Sequence, residues 1–215
     1  MHKSMNPLRY IATLLGVVAS QGCSVLITPG TEPAQTVQTD FSDPVLNQRR
    51  ILVVGNITDT AAAETIRQLF FLDAQNSQPI DLYLMTPGGD LKAAFAIEHA
   101  FQLTRSPINT HALGECNSSG AVLLAAGTGH RQAFHDSTIV IHGMVVKNDP
   151  PVRYVELTQE SYTAFWRRHA KLPESWLPVP PGKTFVLSAQ QALDYGVIDS
   201  IIARPEPVPG AKPNR

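Results

Sequence analysis

Three times between residues 51 and 126 a short run of aliphatic and β-branched residues gives way to a run of helical character. Ile51-Leu-Val-Val54 precedes residues 61–74, where Ala62, Ile66, Leu69 and Phe70 share a helical face. Ile80-Asp-Leu-Tyr-Leu-Met85 precedes residues 91–104, with Ala93, Ala96, Ile97, Ala100 and Phe101 as the apolar stripe. Residues 108–113 precede residues 121–126, which are apolar all round and therefore predict a buried helix. A strand that alternates with a helix over short links needs a crossover each time, so the pattern predicts an α/β domain with much parallel pairing. The 215 residues suffice for one domain with a substantial core. A net charge of -1, with charged residues at 16%, leaves no basic field for nucleic acid, so partners must be recognised at local sites.

The ends read differently. Lys3 and Arg9 precede an apolar run over residues 10–20, the order of a secretory leader, and that run is too short for a permanent membrane helix. Gln21-Gly22-Cys23-Ser24 follows and resembles a bacterial lipoprotein cleavage site, with Ser20 where a leucine is usual. The expectation is an export signal over 1–22, lipidation of Cys23 and a periplasmic lipoprotein held to the membrane through that anchor; simple export without lipidation and an apolar N-terminus of a cytosolic protein are the alternatives. Residues 23–48 are rich in Thr, Pro, Gln and Asp and read as a tether; 49–203 read as the folded domain and 204–215 as a proline-rich tail. If Cys23 is lipidated, Cys116 has no disulfide partner, and it reads as a small core residue.

Chemistry concentrates at three turns. Thr86-Pro-Gly-Gly89 links a strand to a helix, and its glycines let backbone N–H groups approach a ligand oxygen; it is also a common strand-to-helix turn. Ser118-Ser119-Gly120 opens the buried helix, where a serine is either a helix cap or a nucleophile near unpaired N–H groups. His142 closes the run Thr138-Ile-Val-Ile-His142, as a hydrogen-bonded core residue or as a general base. A serine hydroxyl becomes a nucleophile only when a base takes its proton, so Ser118 and His142 are the candidate pair. The other histidines, at 2, 99, 111, 130, 135 and 169, lack metal-ligand spacing, and no metal or cofactor is expected. Residues 162–169 mix aromatic and basic side chains, but Glu156 and Glu160 precede them at helical spacing, so an amphipathic helix face is expected rather than a nucleic-acid or lipid site.

Taken in order, Pro87-Gly-Gly, Ser118-x-Gly-Ala-x-Leu-Leu-Ala-Ala-Gly, Ser137 through His142 and Leu187-Ser-Ala-x-x-Ala-x-x-Tyr-Gly-x-Ile-Asp199 resemble the proteolytic subunit of the Clp protease, the ClpP family of the ClpP/crotonase superfamily. The resemblance implies a single-domain fold of repeated ββα units, a homo-oligomer, and hydrolysis of peptides or unfolded polypeptides through an acyl-enzyme. It implies Ser118 as nucleophile, His142 as base, and Gly89 and Ser119 as oxyanion N–H donors. Gly88, Asp90 and Leu91, with Gly143, Met144 and Val145, are implied as strands that clamp an extended peptide.

Two departures stand out. Thr184 occupies the position of the family's triad aspartate, and a threonine cannot electrostatically stabilise an imidazolium. Asp149, Glu156 and Glu174 are candidates to replace it. Pro173, Pro178, Pro180 and Pro181 fall where the family's ring-joining helix is expected, which argues against a continuous helix over 172–182. The family's axial entry segment is not recognisable, and an exported protein meets no ATP, so no ATP-driven unfoldase is expected. The leading reading is an exported ClpP-like serine peptidase. A catalytically silent peptide-binding or scaffold protein is the alternative, and a crotonase-like acyl-CoA enzyme, which needs no Ser/His pair, is the third.

Overall fold

The computed structural model describes residues 39–146 and 148–203; the expected export signal over 1–22, Cys23 and the tail from 204 onward lie outside the described residues. Strands β1 (Arg50–Val54), β2 (Ile80–Thr86), β3 (Ile108–Asn117), β4 (Arg131–Phe134) and β7 (Ser200–Ile202) pair side by side in parallel. Helices α2 (Asp59–Gln75), α3 (Leu91–Leu103) and α4 (Ser119–Ala126) supply the crossovers that parallel pairing demands. Residues of period two bury one face: Ile51 aligns with Leu82 and Thr110, and Val53 with Leu84, Ala112 and Ala133. The domain is α/β, as the periodicity predicts.

Strand β3 serves two partners. Its first half pairs with β4, while Glu115, Cys116 and Asn117 pair with Thr138, Ile139 and Val140 of β5 (Thr138–His142). Antiparallel to β5 runs β6 (Thr184–Ser188), which sets His142 opposite Thr184. This change of partner brings the ends of β3 and β5 together beside the start of α4.

The helical stripes differ from expectation in detail. On α2 the buried residues are Ala62, Thr65, Leu69 and Leu72, and Phe70 faces out; on α3 Ala94 and Glu98 are buried and Ala96 is exposed. Ala62, Thr65, Leu69 and Leu72 hold a spacing of three and four residues, and Phe70 falls one position outside it. The folded part also reaches back before residue 49. A one-turn helix α1 (Pro44–Asn47) buries Leu46, and Phe41 packs at a tilt on Phe71 with ring centroids 4.3 Å apart. Arg49 ties this end down by donating to the carbonyls of Leu72, Asn76, Gln78 and Pro79.

After β5 comes α5 (Val152–His169), 18 residues long, which buries Tyr162, Thr163, Phe165 and Trp166 and carries Arg167, Arg168 and His169 in its last turn, where positive charge suits the helix dipole. Residues 172–182 contain only the single 3-10 turn Glu174–Trp176. The prolines break helix there, but a long helix stands immediately upstream, so they terminate the helical region and do not abolish it. A short α6 (Ala189–Asp194), opened by a capping box between Ser188 and Gln191, leads to β7. No helix among the described residues is long and apolar enough to cross a membrane.

Candidate active site

Ser118 has φ 56° and ψ -122°, a backbone region costly for any residue with a Cβ. It stands at the sharp turn from β3 into α4, and its side chain caps nothing. A serine chosen as a helix cap would turn its hydroxyl onto its own backbone and would avoid this strain. The turn is held by the Ser118 N–H, which donates to the Val140 carbonyl at 2.7 Å, and by α4, whose eight residues are all buried.

The second turn packs against the first. A Cβ placed on Gly88 would stand 2.6 Å from Ser118 Cβ, so only glycine leaves room for the serine. Gly88 has φ 99° and Gly89 φ 152°, and a side chain on Gly89 would run into the backbone of Ile57. Ile57 is the anchor for this turn: its N–H donates to the Gly88 carbonyl and its carbonyl accepts from the Asp90 N–H, both at 2.8 Å. Gly88 N–H donates to Thr86 Oγ1 at 2.9 Å. The Gly88 and Ser118 amides are thus occupied, while Gly89 N–H has no partner in the turn, and Ser119 N–H, first in α4, has no intrahelical acceptor.

His142 is half-buried at the end of β5. Its Nδ1 lies 2.7 Å from the Gly143 carbonyl oxygen. A carbonyl can only accept, so Nδ1 carries a proton, and in the neutral ring Nε2 is then the nitrogen with the lone pair. Thr184 sits directly across the antiparallel pair yet is exposed and makes no hydrogen bond to the imidazole. None of the three candidate carboxylates replaces it: Glu156 pairs with Arg153 at 3.2 Å, Glu174 with Arg167 at 2.9 Å, and Asp149 is an exposed loop residue with φ 44°.

The peptide clamps implied by the resemblance are not strands in the free chain. Gly89 forms one isolated bridge with Ile57, Asp90 caps α3 by accepting from Lys92 and Ala93, and Leu91 is already helical. Residues 143–146 are coil; Met144 is partly buried and Val145 is 69% exposed. A strand needs a ladder partner, and neither segment has one on its open side.

With these turns in place, the comparison with known families is decisive: the Clp protease family model matches residues 32–205. The chain belongs to the Clp protease family. In this Clp family member, Cys116 is fully buried two residues before Ser118, and burial pushes its thiol up, which suits a core residue and not a nucleophile. No group of three or more His, Cys, Asp or Glu among the described residues is placed to hold a metal ion.

Several residues at the site were invisible to sequence reasoning. Ile57 reads as an ordinary apolar residue, Val140 contributes only its carbonyl, and Tyr162 reads as part of an amphipathic face. Its hydroxyl in fact donates to the His142 carbonyl at 3.0 Å.

Proposed function

We propose that this protein is an exported, lipid-anchored serine peptidase that hydrolyses peptides or unfolded polypeptides as a homo-oligomer. The observation that carries the reading is the strained, uncapped Ser118 at the strand-to-helix turn, packed against Gly88. Such strain persists only where the surrounding structure imposes it, and it serves to expose a nucleophile. Membership of the Clp protease family supports the peptidase chemistry. Cys23 after a leader-like segment supports the anchor and a periplasmic location.

In the proposed reaction Ser118 Oγ bonds to the carbonyl carbon of a substrate peptide and its proton passes to His142 Nε2. The carbonyl oxygen takes the developing charge and accepts from Gly89 and Ser119 N–H. Collapse breaks the C–N bond, His142 returns the proton to the leaving amine, and water then repeats the sequence on the acyl-enzyme. The open sides of 88–89 and 143–145 suit pairing with an extended peptide, which would supply the strand partner they lack. No ATP-driven unfoldase is part of this reading.

The silent alternative is favoured by two observations: among the described residues the His142 ring makes no hydrogen bond to Ser118 Oγ, and none to Thr184, its only partner being the Gly143 carbonyl. Incubation of the full-length protein with a fluorophosphonate, followed by intact mass, separates the two. Addition of one phosphonyl group, absent in Ser118→Ala, supports the peptidase; a folded, assembled protein that stays unlabelled is a binding module. Retention in the membrane fraction that is lost in Cys23→Ala tests the anchor.

A further inference from the structure

The peptide unit joining His142 to Gly143 is held at both ends. Its carbonyl accepts from the Tyr162 hydroxyl of α5 at 3.0 Å, and its N–H donates to the Lys183 carbonyl at 2.9 Å. A peptide unit is planar, so two bonds on opposite sides restrain its rotation, and with it ψ of His142 and φ of Gly143, which sets the position of the Gly143 Cα from which the next carbonyl projects. Gly143 is further confined because any side chain there would run into the Pro180 carbonyl, and Lys183 N–H in turn donates to Pro180 at 3.0 Å. Tyr162 is 3% exposed and packed edge-on against Trp166, so its hydroxyl has little freedom to leave. Beyond this clamped unit lies the Gly143 carbonyl, the acceptor of His142 Nδ1.

We propose that the Gly143 carbonyl takes the place of the missing aspartate as the group that orients His142, and that Tyr162 is the positioning residue that holds it there. The proposal rests on the peptidase reading and deepens it. A carbonyl fixes the same tautomer that a carboxylate would, leaving Nε2 free to take a proton, but it offers a dipole where a carboxylate offers a full charge. The arrangement therefore supplies orientation without the full stabilisation of the imidazolium. The proline-rich segment 177–183 then has a role: it carries the acceptor for the Gly143 N–H and fills the space that excludes a side chain at 143. Tyr162 ties the same unit to α5, so the clamp draws on two elements distant in sequence.

The test compares fluorophosphonate labelling rates of full-length wild type, Tyr162→Phe, Thr184→Asp and the double variant, with thermal melts on each. Tyr162→Phe keeps the ring and its packing and is expected to slow labelling about 3- to 10-fold, the worth of one hydrogen bond. Thr184→Asp sets a carboxylate across from His142; it is expected to raise the wild-type rate and to restore the rate of Tyr162→Phe without restoring its melting temperature. A merely structural tyrosine would give no such rescue. Nitrogen-15 NMR of histidine-labelled wild type reads the tautomer directly, whatever the variants do, with the proton expected on His142 Nδ1. A proton on Nε2, or equal labelling rates in wild type and Tyr162→Phe, overturns the proposal while leaving the peptidase intact. Absence of labelling in folded wild type and in Thr184→Asp overturns the peptidase reading itself, and the proposal with it.

Discussion

Gly88 and Ser118 share a space that holds only one side chain. A Cβ on Gly88 would lie 2.6 Å from Ser118 Cβ and 2.7 Å from the Asn117 carbonyl oxygen. Since φ at Gly88 is 99°, Gly88→Ala adds backbone strain to the collision. The variant is expected to lose about 2–4 kcal/mol of stability and to label with fluorophosphonate about a hundredfold or more slowly, because displacement of a nucleophile by about 1 Å suffices for that. Urea denaturation and labelling kinetics check both halves.

Ser118 itself should trade stability for reactivity. Its backbone conformation costs about 1–3 kcal/mol for a residue with a Cβ, and glycine recovers that at an entropic cost of about 0.5–1 kcal/mol. Ser118→Gly is therefore expected to abolish labelling and to raise Tm by about 2–4 °C, for a net gain of about 1 kcal/mol. A fall in Tm would mean that the turn is not strained.

Cys116 is fully buried, and burial pushes its thiol up, so the reactive thiolate is scarce in the folded protein. Iodoacetamide is expected to modify Cys116 only as the domain unfolds, with a rate that follows denaturant concentration. Cys116→Ala should keep fluorophosphonate labelling at Ser118, at a stability cost on the order of 1 kcal/mol. Loss of labelling in a folded Cys116→Ala protein would reopen the thiol as a participant.

Acid should weaken the link between β4 and β7. Burial pushes the Asp199 carboxyl up, but the hydrogen bonds and charge of Arg131 outweigh it and hold that carboxyl below the usual carboxylate range. A folded-state value below the unfolded one, near 3.9, means that the unfolded chain binds more protons in that window. The pair therefore stabilises the fold above about pH 4 and its contribution is lost as pH falls through the folded value. Asp199 is 37% exposed at its side chain, so Asp199→Asn is expected to cost only about 1 kcal/mol at pH 7. Urea melts at pH 7, 5 and 3 should show the gap between wild type and variant closing at the lowest pH.

The elements that repeat with a local period were legible in the chain. The strands at 51–54, 80–85 and 108–113 and the helices that follow them were readable because alternation and helical spacing are properties of neighbouring residues. The Ser118 turn was legible for the same reason, since a serine at the mouth of an all-apolar helix stands out without any tertiary knowledge. Less was legible where packing chose among similar residues. Phe70 read as core and is exposed, and Glu98 went unnoticed and is 2% exposed, because only the neighbouring helices decide which side of a stripe is covered.

By itself the sequence determined the α/β order, the two glycine and serine turns and the absence of an aspartate at 184, all of which follow from residue type and spacing. Tertiary structure alone decided how His142 is served. The neighbouring Gly143 carbonyl meets the imidazole, while Tyr162 from a helix and the Lys183 carbonyl from a turn, both distant along the chain, hold the His142–Gly143 peptide unit. Backbone acceptors carry no residue signature, and a tyrosine hydroxyl declares its partner only when a helix docks, so no local pattern could have announced them.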